Sequence, residues 1–154
     1  MLDFFCPRGI RNANPGNIRL CKPAWLGQKT AQLDKDFSEF TDPVFGLRAL
    51  MRLLIVYQFK YGLKTVEQII NRFAPPHENA TDNYIFFVAK ALKVKRTDEI
   101  DLSDKSRLMS LAAAIVRREN GPAPDSRPRD WYPPDLYDRA ATLAFDHKQQ
   151  GEYA

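Results

Sequence analysis

Residues 43–61 constrain the fold most. After Asp42-Pro43, Leu47, Leu50, Met51, Leu54, Ile55 and Phe59 recur at helical spacing, and Val44, Leu53, Val56 and Tyr57 fill the flanks. A helix that is apolar nearly all round has no face to give to water, so it belongs at the centre of a core with other elements wrapped about it. Asp42 is the expected N-cap and Pro43 the first helical residue. Gly46 costs helix propensity and marks a close approach to a neighbour, and Gly62 ends the helix.

The rest of the chain supplies the wrapping. Thr65-Val66-Glu67-Gln68 is a capping box opening a short amphipathic helix that stops before Pro75-Pro76. Asn79 or Thr81 caps a helix through Tyr84, Ile85, Val88, Ala89 and Leu92. Residues 93–105 read as a charged, solvated loop with Ile100 and Leu102 tucked in, and Pro133-Pro134-Asp135 begins a last helix. Nearer the N-terminus, Asn12, Asn14, Pro15, Gly16 and Asn17 offer a tight turn. Ile18 to Cys21 and Phe37 to Phe40 read as short strands. The expected architecture is one mainly α domain over residues 1–154, with a small N-terminal hairpin making it α+β in detail. A chain of 154 residues with 44% hydrophobic and 27% charged residues suits one such core.

One polar residue stands out on the stretch 106–121, SRLMSLAAAIVRRENG. Leu108, Leu111, Ala112 and Ile115 share a helical face, and four residues beyond Ile115 that face reaches Glu119, just before the Asn120-Gly121 stop. A carboxyl group there ends an apolar stripe at the negative pole of the helix. Burial and the dipole both disfavour its ionised form, which suits a general acid. Solvation, or neutralisation by Arg117 and Arg118, is the plainer account of the same residue.

Composition excludes several classes. No apolar run approaches the ~20 residues that cross a bilayer, so membrane insertion is not expected. MLDFFCPRGIRN has no apolar h-region, so no signal peptide is expected. The net charge of +4 suits an anionic polymer, but the bases are scattered, and no nucleic-acid-binding pattern is present. With Cys6, Cys21, His77 and His147 as the whole Cys and His complement, no metal site and no cofactor are expected. Cys6 and Cys21 pair in an oxidising compartment or stay as free thiols; a thiol nucleophile working with His77 is the rival chemistry.

Four segments together resemble a family of small phage virion-associated and secreted cell-wall lysins: RGIRNANPGNIR (8–19), FTDPVFGLRAL (40–50), NRFAPPHENATDNY (71–84) and AIVRRENG (114–121). The resemblance implies a lysozyme-like or lytic-transglycosylase-like fold and cleavage of the glycan strands of peptidoglycan. Soluble lytic transglycosylases place their catalytic Glu-Ser first in the chain and an Ala-Tyr-Asn-Ala-Gly segment last. Here NPGNI, DPVFGLRAL and NRFAPPHEN precede RREN, the order of a circular permutation, and Asn120 stands where the serine would be.

On that resemblance Glu119 is the acid, with Glu78 (or Glu39) as the second carboxylate a hydrolase requires. Asn14, Asn17 and Asn79 hold N-acetyl and hydroxyl groups, while Phe73, Tyr84 and Trp25 lie against sugar faces. The function expected is a muramidase, foremost a lytic transglycosylase. A hydrolytic lysozyme, a stem-peptide cysteine peptidase or amidase, and a non-catalytic wall-binding or virion module are the alternatives. The partner is peptidoglycan, reached in the periplasm or cell wall through a virion, a holin or a secretion machine, with an inhibitor protein as a further partner.

Overall fold

The computed structural model describes residues 6–77, 80–124 and 130–146. The protein is mainly helical. Six helices follow in order among the described residues: α1 (Arg8–Arg11), α2 (Pro43–Phe59), α3 (Val66–Phe73), α4 (Thr81–Leu92), α5 (Lys105–Asn120) and α6 (Pro134–Phe145).

Helix α2 lies at the centre, packed on α6, α5 and α3, while α4 lies across α3 and α5. Leu47, Ala49, Leu50, Met51 and Leu54 have no exposed surface. Even its polar residues are inside. Arg52 is buried and donates to the Ala144 carbonyl at the end of α6 (3.1 Å), a cation at the negative pole of that helix. Gln58 is buried too: its amide donates to the carbonyls of Ile100 and Leu63, and its Oε1 accepts from Leu102 N. One glutamine thus ties the charged 93–105 loop to the core, with Ile100 and Leu102 buried as expected.

Local signals account for the helix starts. Asp42 accepts from Val44 N at the head of α2, and Thr65 and Gln68 form the capping box of α3. Asp104 accepts from Ser106 N at the head of α5. The start of α4 differs from expectation. Ala80 occupies its N-cap without a side-chain bond, and the Thr81 hydroxyl donates instead to the Ala74 carbonyl (2.6 Å), tying α4 to the end of α3. Asn79, the other expected cap, lies outside the described residues.

The expected N-terminal hairpin is also corrected. Between residues 18 and 40 only two isolated antiparallel pairings occur among the described residues, Arg19 with Phe37 and Gln28 with Phe40. Side chains take the backbone groups that a ladder would have used. Asn14 Oδ1 accepts from Ile18 N, and Gln32 Oε1 accepts from Glu39 N. Asp34 accepts from the amides of Asp36 and Phe37, and Glu39 from those of Leu33 and Asp34. Arg8 closes the loop with two short bonds to Asp34 (2.6 Å each). That guanidinium, with the two backbone amides and the Asn12 side chain, holds the Asp34 carboxyl well below the usual carboxylate range.

Candidate functional site

The segment 12–18 folds as a knot of close contacts rather than a free turn. Ala13 and Asn17 both take left-handed backbone conformations (φ 52° and 49°), a region asparagine tolerates well. Gly46 of α2 lies so close that a Cβ there would overlap the Ala13 carbonyl oxygen, and Gly16 packs against Leu50. From the other side, the buried Asn120 amide donates to the Pro15 carbonyl (2.7 Å) and to Val116 O in its own helix (2.9 Å). The loop is therefore seated between the first turns of α2 and the last turn of α5.

That seating brings Asn17 to Glu119. The Asn17 amide donates to Glu119 Oε1 (3.0 Å), and the Tyr84 hydroxyl donates to Oε2 (2.8 Å). Tyr84 is 2% exposed. Burial, then the neighbouring Glu119 charge, push its pKa well above the usual 10, so it remains a protonated donor through any ordinary pH. The Arg118 guanidinium covers the Tyr84 ring at 5.0 Å, and Phe73 meets that ring edge-on at 6.3 Å. Glu119 is half-buried; the residue at this helix end that is fully packed in is Asn120.

Glu119 opens onto a groove of about 470 Å³. The N-terminal loop contributes Asn17, Arg19, Cys21, Trp25 and Phe37 to it, while α2 and the end of α3 contribute Leu53, Tyr57, Arg72 and Phe73. Glu119 is the sole carboxylate lining it among the described residues. The groove thus sets one carboxyl group, hydrogen-bonded on both oxygens, beside aromatic faces and two arginines.

The residues singled out from sequence divide into three groups. Asn17, Phe73, Tyr84, Trp25 and Glu119 come together, but Asn17 and Tyr84 contact the carboxylate rather than presenting free faces to a sugar. Asn14 is fully buried, and its side chain is committed to Ile18 N, Ile18 O and Ser38 O, so it shapes the loop and does not face the groove. Glu39 is likewise buried on the amides of Leu33 and Asp34. Glu78 and Asn79 lie outside the described residues. Arg72 and Arg19 carry no local sequence signal, and Asn120 shows in sequence only as part of a helix stop; its bond to the Pro15 carbonyl joins residues far apart in the chain.

Protein P5 of Pseudoalteromonas phage PM2 is 42% identical to this chain over 120 residues, which cover 76% of the chain and 73% of that protein. The chain belongs to the family of that phage protein. No family model matches it. The relative's name states no activity, so the chemistry rests on the groove itself. Cys6 and Cys21 are free thiols. Burial pushes the Cys21 thiol up, the reverse of what a nucleophile needs. Among the described residues no three His, Cys, Asp or Glu side chains are grouped to hold a metal, and no helix is long and apolar enough to cross a membrane.

The Tyr84–Glu119 bond has a measurable consequence. Tyr84→Phe keeps the ring and its packing but leaves Oε2 without its donor. A hydrogen bond to a charged group contributes about 1.5 kcal/mol or more to stability, so thermal melting of Tyr84→Phe is expected about 5 °C below the parent.

Proposed function

We infer that this protein cleaves peptidoglycan glycan strands as a muramidase of the lytic transglycosylase type. The observation carrying this reading is Glu119, held by Tyr84 and Asn17 on the wall of a groove lined by Trp25, Phe37, Phe73 and two arginines. A retaining or inverting hydrolase needs two carboxyl groups flanking the scissile bond. A transglycosylase needs one. Glu119 protonates the leaving GlcNAc oxygen as the bond from MurNAc C1 breaks through an oxocarbenium-like state. The muramyl 6-hydroxyl then bonds to C1, and its proton returns to the Glu119 carboxylate, leaving a 1,6-anhydro end.

The lysozyme-like fold and the circularly permuted order belong to this reading. A permuted chain would bring the NPGN loop and the end of α5, though distant in sequence, to the two sides of the acid. The contact of Asn17 with Glu119 is consistent with that order. Phage kinship fits a protein that meets the cell wall, with virion delivery as the route.

The deciding experiment is the mass of soluble products from digested, purified peptidoglycan, with iodoacetamide-treated enzyme in parallel. Fragments one water lighter than hydrolysed ones, released at an unchanged rate after alkylation, are the expected result. Fragments of hydrolysed mass move the assignment to lysozyme chemistry and Glu78. Loss of activity on alkylation moves it to a thiol enzyme. Wall binding with no release of fragments makes the protein a non-catalytic wall-binding or virion module.

A further inference from the structure

Among the described residues three charged side chains line the groove, Arg19, Arg72 and Glu119, so the cleft around the acid carries more positive than negative charge. Arg72 is the informative one. It sits in the last turn of α3, exposed at the groove, with its guanidinium carbon 4.0 Å from the centre of the Tyr61 ring and 5.3 Å from that of Tyr57. Stacking of this kind engages the faces of the guanidinium and leaves its N–H edge available.

Other arginines of the protein show what that edge ordinarily does. Arg8 turns its edge to Asp34, and Arg96 turns its own to Glu67 and Asp82. Among the described residues no carboxylate pairs with Arg72. The two tyrosines hold it in one place beforehand, which lowers the ordering cost of forming a forked bond to an incoming carboxylate. Arg19, whose guanidinium lies 5.4 Å from the Phe37 ring, adds a second fixed cation from the N-terminal loop.

We propose that Arg72 is a specificity-determining residue that reads a carboxylate on the glycan, so that the groove takes muramyl strands and discriminates against neutral chitin-type strands. The proposal rests on the glycan reading of the groove. A neutral polymer offers the Arg72 fork only hydroxyl and amide oxygens, without the charge that strengthens a forked bond, whereas a muramyl strand carries a carboxylate at every second sugar. That carboxylate comes either from the lactyl group itself or from the peptide stem attached to it; both present the same planar anion to the fork.

The test is calorimetric binding of three soluble probes to the full chain carrying Glu119→Gln, so that no probe is consumed. The probes are chitotetraose, an alternating GlcNAc–MurNAc tetrasaccharide with bare lactyl groups, and the same tetrasaccharide bearing L-Ala–D-Glu dipeptides. Adding Arg72→Met, which keeps the aliphatic stem, is expected to weaken binding of a carboxylate probe about 10-fold or more, the usual scale of a charge-assisted forked bond. Chitotetraose should change by less than about twofold. Arg72→Lys should recover only part of the loss, because an ammonium has no fork. A loss seen already with the bare muramyl probe assigns the lactyl carboxylate; a loss confined to the dipeptide probe assigns the stem. Equal weakening of all three probes makes Arg72 a merely structural residue, and no weakening of either carboxylate probe removes its role; both overturn the proposal and leave the glycan reading intact. Binding of none of the probes to the parent overturns both.

Discussion

Glu119→Gln is expected to give a folded protein that still binds purified peptidoglycan but lyses it slower by on the order of 10²-fold or more, within the usual range for general acid catalysis. Glutamine keeps the shape of the side chain, and its carbonyl oxygen still accepts from Asn17 or Tyr84, so the groove loses little of its construction. What it loses is the transferable proton. Turbidity loss gives the rate, and thermal melting confirms the fold. Glu78→Gln should cost much less, because the 6-hydroxyl mechanism requires no second carboxylate. If Glu119→Gln lyses walls at the wild-type rate while Glu78→Gln is inert, the acid is misassigned and the permuted order falls with it.

The end of α5 is legible because its signal is local: an apolar face at three- and four-residue spacing, then Asn120-Gly121 to stop the helix; in the structure that face closes on the buried Asn120, and Glu119 stands half-buried beside it. The same kind of signal reveals α2, α3 and the burial of Ile100 and Leu102. Side chains around Glu119 are another matter. Tyr84 lies 35 residues from Glu119 and Asn17 lies 102 residues away, so no spacing rule joins them. As isolated residues, an asparagine in a turn and a tyrosine on a helix are as good for a sugar as for a carboxylate. Asn14 shows the converse difficulty. Amide-rich turns look alike whether they serve a ligand or their own backbone, and here the bonds to Ile18 and Ser38 decide for the backbone. Residues 18–40 imitate a hairpin in sequence for that same reason. Polar side chains close the loop, and periodicity says nothing about where a side chain's hydrogen bonds go.

Gly46→Ala tests the joint between fold and site and should have the largest effect on stability. In an exposed helix this change stabilises by up to about 1 kcal/mol, through propensity. Here the added Cβ would overlap the Ala13 carbonyl oxygen and stand 3.0 Å from the Pro15 ring. The obstacle is backbone, which cannot rotate away as a side chain would, so α2 and the loop must part. Overpacking of this sort costs about 3 kcal/mol, which corresponds to a melting temperature lower by about 10 °C for a chain of this size. Parting them also carries off Asn17, the donor to Glu119 Oε1. Urea unfolding of Gly46→Ala beside Gly62→Ala makes the comparison. Gly62 has a positive φ of 68°, but a Cβ added there would meet nothing within 4 Å. Its cost is therefore the left-handed strain alone, about 1 kcal/mol. A stable Gly46→Ala protein would mean that the 12–18 loop is not seated against α2, and the placement of Asn17 beside Glu119 would go with it.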